Sequence, residues 1–379
     1  MQHAAPDPTP AAPPAPLADD LVRALRDDRV EPAFRPALEL GAALYRHMVR
    51  ARVVSARMVA LQRSERIAFH TSSIGEEAAI VGAVLAARAT DWVFPGAREW
   101  YAALARGLPL SAYVHHAFGS AEDPAKGHSA PDHAPARKVN VVPPSGVIGA
   151  HLPQAVGAAW AAKIRKEDVA CLALFGAEVV DGGDFHNALN FAGVFKAPVV
   201  FVCRAKPGKH VADRAVAYGL ASARVDGGDV LAVLTVVKTA LARATEGKGA
   251  TLVEVVSPVL PRVPSLDDGA LATGDVLDLG EEDPIGRLHR VLVREREKAI
   301  ELGAQETIAH DAGAELDAAI ASAERAGAPP AATIFEDVYA GMPAHLAAQR
   351  RGALRGEADP ATSAGGSGQA TLPQSREGG

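Results

Sequence analysis

Cysteine is almost absent from this sequence: Cys171 and Cys203 are the only two in 379 residues. Both lie inside apolar, strand-like runs, which predicts buried, reduced thiols over a disulfide between core strands. Aromatic residues are also scarce, at 5%, so Ala, Val and Leu must supply most of the packing. No apolar run reaches the roughly 18 residues of a membrane span, which excludes a transmembrane helix. Neither sign of charge dominates. A net charge of −6 and a pI near 6.1 leave no electrostatic footprint for nucleic acid. The opening MQHAAPDPTPAAPPAPLADD has neither a basic n-region nor an apolar h-region, so no secretory signal is expected and the reading is a cytoplasmic protein.

What is present is a hydrophobic fraction of 48%, enough for one large α/β domain or two smaller ones. Residues 1–18 are Pro/Ala-rich and read as a disordered arm, and 355–379 as a Gly/Ser-rich disordered tail. Residues 19–354 between them form one body without internal repeats. Leu38, Leu40, Ala43, Leu44, Met48, Val53, Met58 and Leu61 trace a helical stripe over 36–62. Ser73 followed by Glu76 carries a capping-box signature for a helix ending near residue 87. Residues 151–163, HLPQAVGAAWAAK, are expected to form a small-residue helix starting near Pro153, with another helix over 229–245 after the Gly227-Gly228 strand-to-helix turn, and C-terminal helices over 284–327. Strand-like runs at 169–175, 198–203 and 251–257 carry no charge except Glu254. Continuous apolar strands alternating with helices predict an α/β fold with a parallel sheet covered on both faces.

Residues 169–206, VACLALFGAEVVDGGDFHNALNFAGVFKAPVVFVCRAK, hold the densest signal. An apolar strand ends at Gly176, an acidic loop follows, a helix starts near Gly183, and a second strand ends at Arg204. Such a βαβ unit presents a helix N-terminus and backbone N–H groups to anionic oxygens. Asp181 and Asp184 read as caps of that helix, and His186 reads as structural. His115, His116, His128, His133 and His151 match no zinc spacing and read as packed or solvated.

The frame GxxxxxxGDFHxALNFAxVxKAPVVFVCR resembles the thiamine diphosphate motif of 2-oxo acid dehydrogenase E1 α subunits. Five more segments are similar to that family in the same order: RIAFHTSSIGEEAAIVGA, DWVFPGAREWYAALARGLPL, IGAHLPQAVGAAWAAK, RVDGGDVLAV and FEDVYAGMPAHLAAQ. The resemblance spans roughly residues 36–350. It implies the thiamine diphosphate-binding fold, with Mg²⁺ and the cofactor diphosphate on this chain. It also implies an E1 β-like partner in an α2β2 assembly, or self-association, within a lipoyl acyltransferase complex.

Carried over position by position, the resemblance places cofactor contacts at Arg98, Ile148, Gly176, Arg204 and Lys206. The family's metal-ligating aspartate falls on Ala177, and the glycine after it on Glu178. Its asparagine ligand falls on Lys206, which has only donors and cannot hold Mg²⁺, though its ammonium can pair with a phosphate directly. The neighbouring asparagine falls on Ala205, a phosphate-contact tyrosine on Ala97, and the loop histidine near Val263, beside Ser265, Asp267 and Asp268. No residue is assigned as catalytic or as a metal ligand. Structural readings stand beside these: Arg98 and Arg204 paired with Glu178, Asp181 or Asp184, and Ile148 as a core residue. The expected function is an E1 α-like subunit that is catalytically degenerate and structural or regulatory. The alternatives are a working α subunit that decarboxylates a branched-chain 2-oxo acid or pyruvate and acylates a lipoyl domain with its β partner, and a sensor binding another anion.

Overall fold

Strand chemistry accounts for the centre of the computed structural model, which describes residues 21–26, 29–258, 260, 279–295 and 304–357. The strands are β1 (Leu25–Arg26), β2 (Arg29–Val30), β3 (Trp92–Phe94), β4 (Cys171–Gly176), β5 (Val199–Ala205), β6 (Ala221–Asp226) and β7 (Thr251–Val256). Five of them form one parallel sheet in the order β3-β4-β5-β7-β6, while β1 and β2 make a short antiparallel ribbon. β4, β5 and β7 are buried at every position, as strands covered on both faces must be. Successive residues alternate between two cores: Phe175, Phe201 and Leu252 enter one, while Leu174, Val202 and Val253 enter the other. β3 escaped the sequence reading because it is three residues long, while β6, half-exposed at the sheet edge, is the strand that enters the expected Gly227-Gly228 strand-to-helix turn.

The helices are α1 (Arg35–Leu38), α2 (Gly41–Arg63), α3 (Glu77–Ala86), α4 (Tyr101–Ala105), α5 (Leu110–Phe118), α6 (His151–Ile164), α7 (Gly183–Phe195), α8 (Val230–Thr245), α9 (Pro284–Arg294), α10 (Ala304–Ala326) and α11 (Ala344–Glu357). α6 and α7 cover one face of the sheet, and α3 and α8 cover the other. Gly82 permits the α3–α8 contact, since a Cβ there would meet the Val230 carbonyl and the Val233 side chain at 3.0 Å.

Several expected boundaries need correction. The helix over 36–62 is broken between α1 and α2, and Leu40 and Ala43 of its stripe are exposed. The small-residue helix opens at His151, two residues before Pro153. The capping box does not form: α3 has no side-chain cap bond at Glu76. The carboxylate of Glu77 instead accepts the Gly75 N–H at 3.0 Å and the Arg52 guanidinium at 2.7 and 2.8 Å. A C-terminal helix occupies Ala344–Glu357, so residues 355–357 are helical and not tail. Residues 1–18 lie outside the described residues, as do 358–379.

Two buried polar clusters tie the layers together. Asp229 caps α8 by accepting the Ala232 N–H at 3.0 Å, and it also takes the Ala24 and Leu25 N–H groups at 2.7 Å each. This confirms the turn expected at Gly227-Gly228 and anchors β1 to the sheet. Arg52 on α2, fully buried, bridges Glu77 on α3 and Asp283 at the start of α9, the latter at 2.6 Å. The residual donors of a buried guanidinium demand such bidentate partners.

Candidate functional site

At the C-terminal ends of the central strands, Gly176 and Arg204 are register partners on β4 and β5. This is where ligands bind in open parallel α/β sheets. A cavity of about 140 Å³ opens here, and its lining includes Arg98, Glu99, Ile148, Gly176, Glu178 and Arg204. Four of the five candidate contacts therefore meet at one place. Lys206 does not join them: it lies just beyond β5, exposed, and is absent from the cavity wall. Ile148 is 73% exposed, which rules out its reading as a core residue. Val263, Ser265, Asp267 and Asp268 lie outside the described residues.

The strand-to-helix turn has the expected course and different chemistry from the one expected. Ala177 opens a single turn of 3-10 helix, Ala177–Val179, and its side chain brings no oxygen to a metal. Glu178 folds its carboxylate back over Gly176, so closely that a Cβ there would lie 2.1 Å from Oε2. α7 is capped by Gly182 without any side-chain hydrogen bond. Asp181 does not cap it; its carboxylate pairs with Arg214 at 3.1 Å. Asp184 sits in the first turn of α7, favourably placed toward the positive end of the helix dipole. His186 contacts the Tyr218 hydroxyl.

The arginines are already occupied. Arg204 is buried and donates from Nε to Glu99 Oε1 at 2.5 Å and from Nη1 to Glu76 Oε2. Burial works against the Arg204 charge, but Glu99 and Glu76 more than offset it, holding the guanidinium above its ordinary pKa. Burial pushes the Glu76 carboxyl up, opposed by Arg204 and Arg98. Arg98 is exposed, with Nη1 on the Ser72 carbonyl at 3.0 Å and Nε 3.8 Å from Glu76. Both arginines are thus ion-paired, but to Glu76 and Glu99 and not to Glu178, Asp181 or Asp184. Sequence reasoning missed these two glutamates because Glu76 looked like a helix cap and Glu99 lies 105 residues from Arg204.

The histidines pair locally or face solvent, and His151 also lines the cavity. His115 bonds Ser120 at 2.7 Å, His133 bonds Asp132 at 2.5 Å, and His116 meets Asp123 and the Ala130 carbonyl, each at 2.9 Å. His128 is exposed. His151 Nε2 donates to the Leu174 carbonyl at 2.9 Å beneath the cavity, and burial lowers its pKa. Cys171 and Cys203 are free and buried.

A parallel sheet of this order, a βαβ unit ending at Gly176 and Arg204, and the matching frame over 169–206 describe a dehydrogenase-type subunit of known family. The family described as "Dehydrogenase E1 component" matches residues 45–332, and the chain belongs to it. It is 36% identical to the 2-oxoisovalerate dehydrogenase subunit alpha of Bacillus subtilis (strain 168) over 258 residues, 64% of this chain and 78% of that one. To the mitochondrial 2-oxoisovalerate dehydrogenase subunit alpha of Mus musculus it is 31% identical over 349 residues, covering 86% and 77%. A solved structure described as a putative thiamin diphosphate-dependent enzyme from Mycobacterium smegmatis overlaps at 20% identity and a TM-score of 0.31, over 47% of this chain and 31% of that one. That overlap is too partial to carry an argument.

The family cofactor is thiamine diphosphate. The residues here do not fit its diphosphate with a divalent metal. The Ala177 side chain supplies no oxygen ligand and the Lys206 side chain supplies only donors. Around the cavity, two guanidiniums (Arg98, Arg204) face three carboxylates (Glu76, Glu99, Glu178), so an anionic ligand meets an excess of negative charge.

Proposed function

We propose that this chain is a non-catalytic E1 α-like subunit, structural or regulatory, that pairs with a β-like chain or with itself. The observation that supports this reading is the neutralised arginine: Arg204, to which the family resemblance gives a phosphate contact, is bonded to Glu99 and Glu76. A diphosphate entering the cavity would have to displace carboxylates from a buried cation and then remain beside Glu178. Two like charges at ~4 Å repel by about 1 to 4 kcal/mol, depending on how far water screens them. No metal ligand at Ala177 or Lys206 offsets this.

The test is calorimetric titration of the purified chain, alone and mixed with a β-like subunit, using thiamine diphosphate and Mg²⁺. The expected result is no saturable binding on this chain. Micromolar binding, or 2-oxo acid decarboxylation by the mixed pair that is lost in Arg204→Ala, would instead establish the working α subunit.

A further inference from the structure

We infer that the outer face of α6 and α7 docks a second copy of this chain about a two-fold axis, with the helices of the two copies antiparallel. This rests on the self-pairing form of the function proposed above. α6 and α7 bury their inner sides against the sheet through Leu152, Ala155, Phe185 and Leu189. Their outer sides are apolar as well. Trp160 is 40% exposed and Phe191 49%, and Ile164 and Val194 on the same helices are exposed too. Contiguous apolar surface of this kind marks a contact with another macromolecule.

Shape gives the first argument for a second copy. Phe195 stacks on Trp160, with ring centroids 4.2 Å apart and 7° between the planes, and on Phe191 at 5.7 Å. Stacking holds the rings in one arrangement before a partner arrives, which lowers the entropy cost of docking. The same rings wall a hollow of about 330 Å³, which Pro153 and Gly157 also line. A Cβ at Gly157 would meet nothing within 4 Å, so no described residue requires glycine there. Glycine nonetheless costs a helix interior about 0.5–1 kcal/mol relative to Ala. One face thus carries both a knob and a hollow, the self-complementarity that a two-fold contact demands.

Charge gives the second argument and fixes the direction. The two helices run the same way: Trp160 and Phe195 stack near their C-terminal ends, and Lys163 Nζ donates to the Phe195 and Lys196 carbonyls at 2.7 and 3.1 Å. That shared end carries Lys163, Lys166 and Lys196, all exposed. Its remaining charges pair locally, Arg165 with Glu167 and Asp168 with Arg88. The opposite end carries Asp181 and Asp184, with Arg214 on Asp181. A two-fold axis perpendicular to the helices sets each basic end against the acidic end of the other copy. A parallel arrangement sets like against like.

The experiment is sedimentation equilibrium on the full chain. A reversible dimer, twice the chain mass of 39.2 kDa, is expected with a Kd of about micromolar or tighter. Gly157→Arg puts a side chain into space that is open in the monomer and filled in the dimer. It is expected to weaken association at least about ten-fold, as is Phe191→Ala. Unchanged melting temperatures would show that both variants are folded. Two charge-reversed chains test the direction. Lys166→Glu with Lys196→Glu makes both ends acidic, and Asp181→Lys with Asp184→Lys makes both ends basic. Each is expected to self-associate more weakly than the parent and to regain association when the two are mixed. A chain that stays monomeric up to about 100 µM would overturn the inference. So would unchanged association in both Gly157→Arg and Phe191→Ala, or charge-reversed chains that gain nothing on mixing. A monomer that instead binds a β-like chain, with binding lost in Gly157→Arg, would give the face to that chain and overturn the inference as well. None of these outcomes touches the non-catalytic reading, which stands or falls on the thiamine diphosphate titration.

Discussion

Arg204 Nε lies 2.5 Å from Glu99 Oε1, with both side chains buried at the C-terminal end of the sheet. The pair joins β5 to the segment that follows β3, so it braces the site across the intervening β4. A buried cation tolerates little loss of its partners, because desolvation has already removed the water that would replace them.

Removing the partner should therefore be costly. Glu99→Ala is expected to destabilise the protein by about 3 kcal/mol or more, leaving Arg204 with Glu76 alone. Arg98→Ala, at an exposed pair, should change stability by less than about 1 kcal/mol. Urea unfolding followed by circular dichroism compares the two, and equal effects would contradict the brace.

The same residues make the degenerate site reparable. In the triple variant Ala177→Asp, Glu178→Gly, Lys206→Asn, a carboxylate ligand returns at 177, the surplus carboxylate at 178 leaves, and the exposed ammonium at 206 gives way to an amide that can offer an oxygen. Thiamine diphosphate with Mg²⁺ is expected to raise the melting temperature of this variant and not of the parent. At a ligand concentration of 100 Kd the stabilisation would be about 2.7 kcal/mol. A parent protein that responds equally would place the cofactor site elsewhere than these three positions.

A second buried cation makes a separate prediction. Arg52→Ala would leave Glu77 and Asp283 facing each other without a counter-charge in the core. A loss of about 3–5 kcal/mol is expected, enough to unfold a marginal chain. Expression of Arg52→Ala as soluble, cooperatively melting protein with an unchanged midpoint would refute the network's structural role.

The pH dependence of stability should carry a signature of His70. This histidine is buried between Ser55, Trp100 and Tyr113, and burial pushes its pKa down to about 3 from 6.5. The unfolded chain therefore binds more protons between these values. The His70 contribution is complete above about pH 6.5 and is lost as pH falls toward 3. Between pH 7 and 5 this amounts to about 2 kcal/mol. His70→Gln, which keeps hydrogen-bonding capacity without the titration, should flatten that part of the profile in chemical denaturation.

Thiol chemistry offers the simplest check on the core. Burial pushes the Cys171 thiol up to about 12 and raises Cys203 as well. Native protein should show no fast-reacting thiol toward a disulfide reagent at pH 8, and denatured protein should show two.

Much of the frame was legible from local sequence. The runs that became β4, β5 and β7 are apolar at almost every position, a pattern that two-sided burial imposes residue by residue. The three-residue β3 was not legible, because it carries no such pattern, and the half-exposed β6 was legible only at its end, through the RVDGGDVLAV strand-to-helix turn. Ser73 and Glu76 failed as a capping box for a related reason. A cap is a local option, and Glu76 was drawn away by Arg204, 128 residues distant.

The sequence alone determined the family frame, and it determined that Ala177 brings no oxygen and Lys206 only donors, because these follow from which atoms a side chain contains. Tertiary structure decided that Arg98, Ile148, Gly176 and Arg204 meet while Lys206 stays outside. It also decided that Glu76 and Glu99 hold the arginines and that Glu178 folds over Gly176. Ion pairing and cavity shape depend on distance in space, which the strand order β3-β4-β5-β7-β6 sets and separation along the chain does not.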